Sequence, residues 1–269
     1  RSQKVDIIHH LEGEHSAQFL PMLFRLSSRI RPKIVATYHQ PPELLDSVLN
    51  KEVIAKLDFI TVVSPDQVSY FSQLTEPHKV RSILHGIDVD YFNPGNKPKE
   101  EGKFKCITVG KYLRDFGALR QVAEALSSYR NIEFHVVSSG ASEVEDLANV
   151  KVYKGIDDAT LLKLYQQSNL LLLPLVQATA NNALLEGIAC GLPVVSTDLP
   201  SVKAYVPGKE AILIKDNEPK QLVDAILYLF NNPTGCQNMG LESRKRAEEL
   251  DWRKIAPLYE AAYSQLAGN

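Results

Sequence analysis

The chain alternates short, unbroken apolar runs with longer stretches whose apolar positions recur at helical spacing. Residues 5–9, 33–38, 59–64 and 80–84 predict four strands, and 18–28 and 66–74 predict helices. Continuous Val, Ile and Leu, without a polar residue at every second place, suits parallel strands covered on both faces. The polar stretch at 94–103, PGNKPKEEGK, then predicts a linker. Beyond it the alternation restarts, with strands expected over 104–109, 132–138, 150–153, 170–175, 192–197 and 211–214. Helices are expected over 118–128, 159–168, 182–190 and 219–230, followed by closing helices over 241–250 and 254–266 that break near Asp251 and Trp252. Trp252 reads as a core anchor. Strand–helix alternation of this kind predicts an α/β protein with two Rossmann-like, doubly wound parallel-sheet domains. The first holds four strands and no glycine-rich opening turn, where such domains commonly have about six strands, so its front is expected to be incomplete.

Composition narrows the class without naming a chemistry. The chain has 269 residues, 44% apolar and 23% charged, with a formal net charge of −2. That balance gives no basic face and so no expectation of nucleic acid. No apolar run approaches the length of a membrane span and no apolar core of a signal peptide follows the first residues, which points to the cytoplasm. Cys106, Cys190 and Cys236 form no CxxC pair, which argues against a disulfide framework or a zinc site.

Chemistry is densest over residues 170–198, LLLLPLVQATANNALLEGIACGLPVVSTD. An apolar strand ends at Pro174-Leu175, a small polar turn follows from Gln177 through Thr179, and a helix starts at Asn181 or Asn182, either of which suits an N-cap. Free amides at that helix start, with the positive end of its dipole, form a ready site for a diphosphate. Glu186 lies one turn along and can reach a ribose diol, as acidic residues do in dinucleotide sites. An ordinary strand–turn–helix with a solvated glutamate explains the same residues, and physics alone leaves both open.

This stretch resembles the donor-site signature of the GT-B glycosyltransferases, the retaining enzymes of family 4 (group 1). There a Glu, seven residues and a second Glu precede a G-x-P-V-V strand. Glu186 stands at the second Glu, which implies ribose binding, while Ala178 stands where the first Glu would touch the donor sugar. Residues 85–94, HGIDVDYFNP, resemble the segment that closes the family's first domain. Residues 109–115, VGKYLRD, resemble the opening of the second, where an Arg and a later Lys hold the diphosphate. Lys111 matches that Arg, Phe116 stands at the Lys position, and Arg114 is the substitute cation; as plain sequence, both cations also read as surface charges. Lys154-Gly155-Ile156 resembles the loop on which the base stacks, and Asp251-Trp252 the C-terminal segment that returns toward the first domain. KIVATYH, 33–39, resembles the strand whose final His lies beside the donor sugar, which makes His39 the candidate catalytic residue. His9, His10, Glu12 and His15 cluster nearby, but their spacing matches no zinc motif, and the family is typically metal-independent.

The resemblance implies domains at 1–98, 99–250 and 251–269. It implies transfer of a sugar, with retention, from a nucleoside diphosphate sugar to a hydroxyl of a small molecule, glycan or lipid-linked acceptor. Domain closure about the linker would exclude water. His39 would orient the sugar; Lys111, Arg114, Ile156, Thr179, Asn181, Asn182 and Glu186 would bind the donor. Neither cofactor nor metal is expected, and peripheral membrane contact is compatible with the family. Two other readings stand beside it: a catalytically inactive nucleotide-sugar-binding module, to which Ala178 and Phe116 point, and a related sugar-nucleotide epimerase.

Overall fold

A computed structural model describes residues 5–19, 32–96 and 100–268. The chain forms two compact units, Arg1–Gly86 with Trp252–Asn269, and Ile87–Asp251. The first is built from β1 (Ile7–His10), α1 (Gly13–Ser16), β2 (Lys33–Tyr38), α2 (Pro42–Val48), α3 (Lys51–Ile54), β3 (Phe59–Val62), α4 (Asp66–Phe71) and β4 (Val80–Ser82). Its four strands pair in parallel in the order β1-β2-β3-β4. Ile34, Ala36, Tyr38, Ile60 and Val62 bury one face against Leu45, Ile54 and Phe71 from the helices. The helix expected over 18–28 lies, beyond Phe19, outside the described residues.

The second unit continues with β5 (Phe104–Val109), α5 (Phe116–Ala125), β6 (Ile132–Val137), β7 (Val150–Tyr153), α6 (Asp158–Gln167), β8 (Leu170–Leu173), α7 (Asn182–Ala189), β9 (Val194–Thr197), α8 (Pro200–Tyr205), β10 (Ala211–Ile214), α9 (Pro219–Asn231) and α10 (Pro233–Glu249). Its six parallel strands run in the order β10-β9-β8-β5-β6-β7. The chain therefore starts in the middle at β5, winds outward through β6 and β7, then returns to β8 and winds the other way. The reversal lies between β5 and β8, where Cys106 pairs with Leu170 and Ile107 with Leu171. Gly187 lets α7 lie close on β8, because a Cβ there would meet Leu171 Cδ2 at 2.5 Å. The last helix, α11 (Trp252–Ala267), groups with the first unit, where Ala262 packs on Val35 and Phe59. Among the described residues no helix is long and apolar enough to cross a membrane.

Among the described residues four short helices escape the sequence pattern, and two of them begin on proline. Pro42 and Pro200 stand at the starts of α2 and α8, where the missing N–H has no intrahelical partner to lose and the fixed φ suits the first turn. Likewise α10 starts at Pro233, not at 241, because Asn232 caps it by accepting the Gly235 N–H at 2.9 Å.

The segment after Gly86 packs on the second unit rather than ending the first. Ile87 N–H donates to the Leu250 carbonyl at 3.0 Å. Arg244 Nη1 donates to the carbonyls of Val89 (3.1 Å), Phe92 (3.0 Å) and Ala189 (2.9 Å), pinning the segment to α7. The compact units divide at 86/87, ahead of the polar stretch and of the boundary expected at 98/99.

Candidate functional site

In the second unit, β5 and β8 end side by side at the reversal of strand order, where open parallel sheets bind their ligands. The loop after β5 carries Gly110, Lys111 and Arg114; the loop after β8 runs from Leu175 to Asn181. An antiparallel bridge between Arg114 and Leu175 joins the two loops. Asn181 is the N-cap of α7, its Oδ1 accepting the Leu184 N–H at 3.3 Å. The Arg114 guanidinium reaches the same oxygen: Nη2 donates to Asn181 Oδ1 at 3.1 Å, Nε to the Val109 carbonyl at 2.8 Å and Nη1 to the Tyr112 carbonyl at 3.0 Å. A cation is thus fixed at the amide-rich start of a helix. Gly110 makes the fold-over possible, since at its φ of +93° a Cβ would sit 2.9 Å from Arg114 Nη2. Leu113, at φ +56°, holds the loop in left-handed backbone that side chains disfavour.

The loops are braced from behind. Asp115 caps α5 by accepting the Ala118 N–H at 2.8 Å and takes the Asn217 Nδ2 donor at 2.9 Å. Asn217 also donates to the Leu175 carbonyl at 2.9 Å, and Thr197 bonds both Asn217 and the Leu175 N–H. The ends of β5, β8 and β9 are therefore cross-linked by buried polar groups.

Glu186 lies in the second turn of α7, half-buried, and Tyr165 of α6 donates its hydroxyl to Oε2 at 2.8 Å. Burial pushes the Glu186 carboxyl up to about 7; Asp158 adds to the rise, while the Tyr165 hydrogen bond and Arg114 oppose it. Burial also lowers the Arg114 pKa, against the attraction of Tyr165 and Glu186. Tyr165 is a residue the sequence reading missed, since a tyrosine on an amphipathic helix looks like core until its hydroxyl finds a carboxylate. Thr179 is buried, whereas Asn182 and Lys111 are exposed. Ile156 is half-buried in the loop between Gly155, at φ +62°, and Asp157, which caps α6. Phe116 is part of the core, so the position has a packing role, and Ala178 is buried with it at 9% exposure.

In the first unit a cavity of about 500 Å³ lies at the ends of β1 and β2 beneath α11, lined by His9, Thr37, His39, His85, Trp252 and Tyr259 among others. Trp252 is not a closed core anchor: it is 38% exposed, seated on Gly86, where a Cβ would meet its ring at 2.5 Å. His9 is locked, with Nδ1 2.6 Å from Tyr263 Oη and Nε2 2.7 Å from Thr37 Oγ1. Burial, with His10 and His39 nearby, lowers the His9 pKa to about 4, so this ring is neutral. His85 Nδ1–H donates to the Gly86 carbonyl at 2.9 Å, and burial lowers its pKa. The His39 ring lies 6.4 Å from that of His85. Among the described residues no group of three His, Cys, Asp or Glu side chains is placed to hold a metal ion; His9 and His10 instead bond hydroxyls.

Comparison with known proteins agrees with this geometry. Residues 103–232 match the family described as "Glycosyl transferases group 1". The chain is 22% identical over 251 residues to the D-inositol 3-phosphate glycosyltransferase of Corynebacterium diphtheriae, covering 82% of this chain and 59% of that protein. It is 23% identical over 267 residues to the D-rhamnosyltransferase WbpZ of Pseudomonas aeruginosa, covering 91% and 66%. The chain thus spans less than two thirds of the length of either relative. HepE of Anabaena, solved with UDP, superposes with a TM-score of 0.78 at 13% identity, over 97% of this chain and 79% of HepE. Residues 103–232 thus resemble the group 1 glycosyl transferases, and the chain has the two-sheet α/β fold of GT-B enzymes.

Proposed function

We propose that the chain works in a retaining glycosyltransferase of family 4 type that moves a sugar from a nucleoside diphosphate sugar to a hydroxyl acceptor. The observation that carries this reading is Arg114, clamped onto the Asn181 cap where strand order reverses. As the bond from the anomeric carbon to phosphate breaks, charge grows on the departing diphosphate. Amides at the start of α7, with Arg114 and Lys111, would stabilise it without rearranging. Thr179 and Asn182 border the same helix start. Glu186 would accept hydrogen bonds from the ribose diol, and the loop at Ile156 would receive the base. His39 keeps the role the resemblance gives it, orienting the transferred sugar, whose transition state has oxocarbenium character.

Titration calorimetry with UDP tests the site, UDP being the ligand of HepE. The expectation is measurable binding that weakens about tenfold in Glu186→Ala, as for a lost hydrogen bond to a charged group. No binding of UDP, GDP or ADP to the protein, or an affinity unmoved by the substitution, would falsify the placement of the donor. Ala178, in place of a glutamate that touches the sugar in the family, favours a second reading, a module that binds nucleotide sugars without transfer. Incubation with UDP-, GDP- and ADP-sugars separates the two: slow donor hydrolysis supports the enzyme, and tight binding without release supports the module.

A further inference from the structure

Two buried polar side chains hold the backbone from Tyr38 to Gln40. Glu14 is 3% exposed and Gln67 is 0% exposed. Glu14 Oε1 accepts the N–H of His39 and, at 2.8 Å, that of Gln40. Gln67 takes the carbonyls: Nε2 donates to Tyr38 O at 3.2 Å and Gln40 O at 2.9 Å, while Oε1 accepts from Val63 and Ser64 N–H at 3.1 and 3.0 Å. The helix bearing Glu14 is itself held down. Gly13 has no room for a Cβ, which would sit 2.7 Å from the Tyr38 ring, and Gln18 Nε2 donates to the Glu14 carbonyl at 2.8 Å. Burying polar groups is unfavourable unless each finds a partner, and burying a carboxylate more so. The two amides need only a neutral oxygen such as glutamine supplies. The charge of Glu14 has a second neighbour, since Oε2 lies 4.0 Å from His39 Nδ1.

We propose that Glu14 is a positioning residue for His39, fixing its backbone through two amides and turning the Nδ1 edge of its ring toward the second carboxylate oxygen. The proposal rests on the reading of His39 given above. With Nδ1–H drawn toward Glu14, Nε2 is left as the ring nitrogen with a lone pair. The other titratable groups around His39 are Glu12, which with Glu14 raises its pKa against the lowering effect of burial, and His9 and His85, whose own pKa values it helps to lower. Glu260, Tyr259 and Tyr263 line the same cavity from α11.

Ring ¹H–¹⁵N correlation spectra of the whole chain, recorded across a pH series, test this directly. The His39 signals are assigned by their loss in His39→Ala, and exposed His78 serves as the internal reference. Glu14→Gln keeps an oxygen for the amides and removes the charge. The expected result is a His39 midpoint shifted to lower pH and a smaller fraction of the Nδ1–H tautomer, with His78 unmoved. A folded Glu14→Gln protein with an unchanged His39 midpoint and tautomer overturns the proposal. Should that variant not fold, Glu14→Asp, which withdraws the carboxylate from the ring, is read in the same way. Hydrolysis of UDP-glucose is followed alongside. A kcat lowered about 10- to 100-fold at constant KM supports a positioning role. A wild type that hydrolyses no donor counts against the transferase reading alone, since the spectra still decide the role of Glu14.

Discussion

Each unit withdraws a glutamate from solvent near the carboxyl ends of its strands, Glu14 fully and Glu186 by about half, and the two are treated in opposite ways. Glu14 is held by the chain: Oε1 accepts two backbone amides, and Oε2 faces an imidazole at 4.0 Å. Glu186 is underfilled, with one tyrosine hydroxyl for a carboxyl that burial pushes up to about 7. A carboxylate anchored by backbone amides belongs to the scaffold. One left short of donors in a ligand crevice has capacity for a molecule that brings hydroxyls with it. The contrast teaches that burial alone does not mark a binding residue; hydrogen-bond capacity left over after folding does.

Substitutions can break or sharpen that contrast. The largest effect is expected at Glu14→Ala, which leaves two buried amides without an acceptor and should lower stability by about 3 kcal/mol in urea unfolding. A loss below about 1 kcal/mol would mean that water replaces the carboxylate and that the two glutamates are alike after all. Arg114→Ala comes next. It removes three hydrogen bonds made by a charged group and should lower stability by about 2 kcal/mol while abolishing UDP binding in calorimetry. Glu186→Gln should act mainly through pH. The Glu186 carboxyl is raised from 4.5 to about 7 in the folded chain, so folding takes up a proton in that window. Wild-type stability therefore falls as pH rises from about 4.5 to about 7 and is flat beyond, relative to the variant. Melting curves across that range should show Glu186→Gln gaining on the wild type, and parallel curves would refute the burial of the charge. The smallest change, Tyr263→Phe, leaves His9 Nδ1 without its hydroxyl and should lower stability by about 1 kcal/mol on thermal unfolding.

What the sequence made legible is the strand pattern, and the reason is local. Lys33–Tyr38, Phe104–Val109, Val150–Tyr153 and Ala211–Ile214 stand where their apolar, largely β-branched runs put them. The cap at Asn181 was equally local, one side chain bonding an amide three residues on. Arg114 was harder. Its charge could be read, but not that its N–H groups turn inward to Val109, Tyr112 and Asn181, because that depends on a glycine at Gly110 and on the neighbouring loop. Glu14, Gln67 and Tyr165 were invisible for the same reason. A lone polar residue in a helix says nothing of partners 21 to 29 positions away. Nor could a search for Pro and Gly show that Arg244, far along the chain, bonds the carbonyls of Val89 and Phe92 just after the division at Gly86.

The return of α11 has a consequence for biosynthesis. His9 finds its hydroxyl partner on Tyr263, 254 positions later, so one face of the first sheet stays bare until α11 has left the ribosome. The inserted unit, Ile87–Asp251, is contiguous and can fold before then. Translation that stalls after Asp251 would release a protein with a finished second sheet and an unfinished first one, a natural substrate for chaperones and proteases.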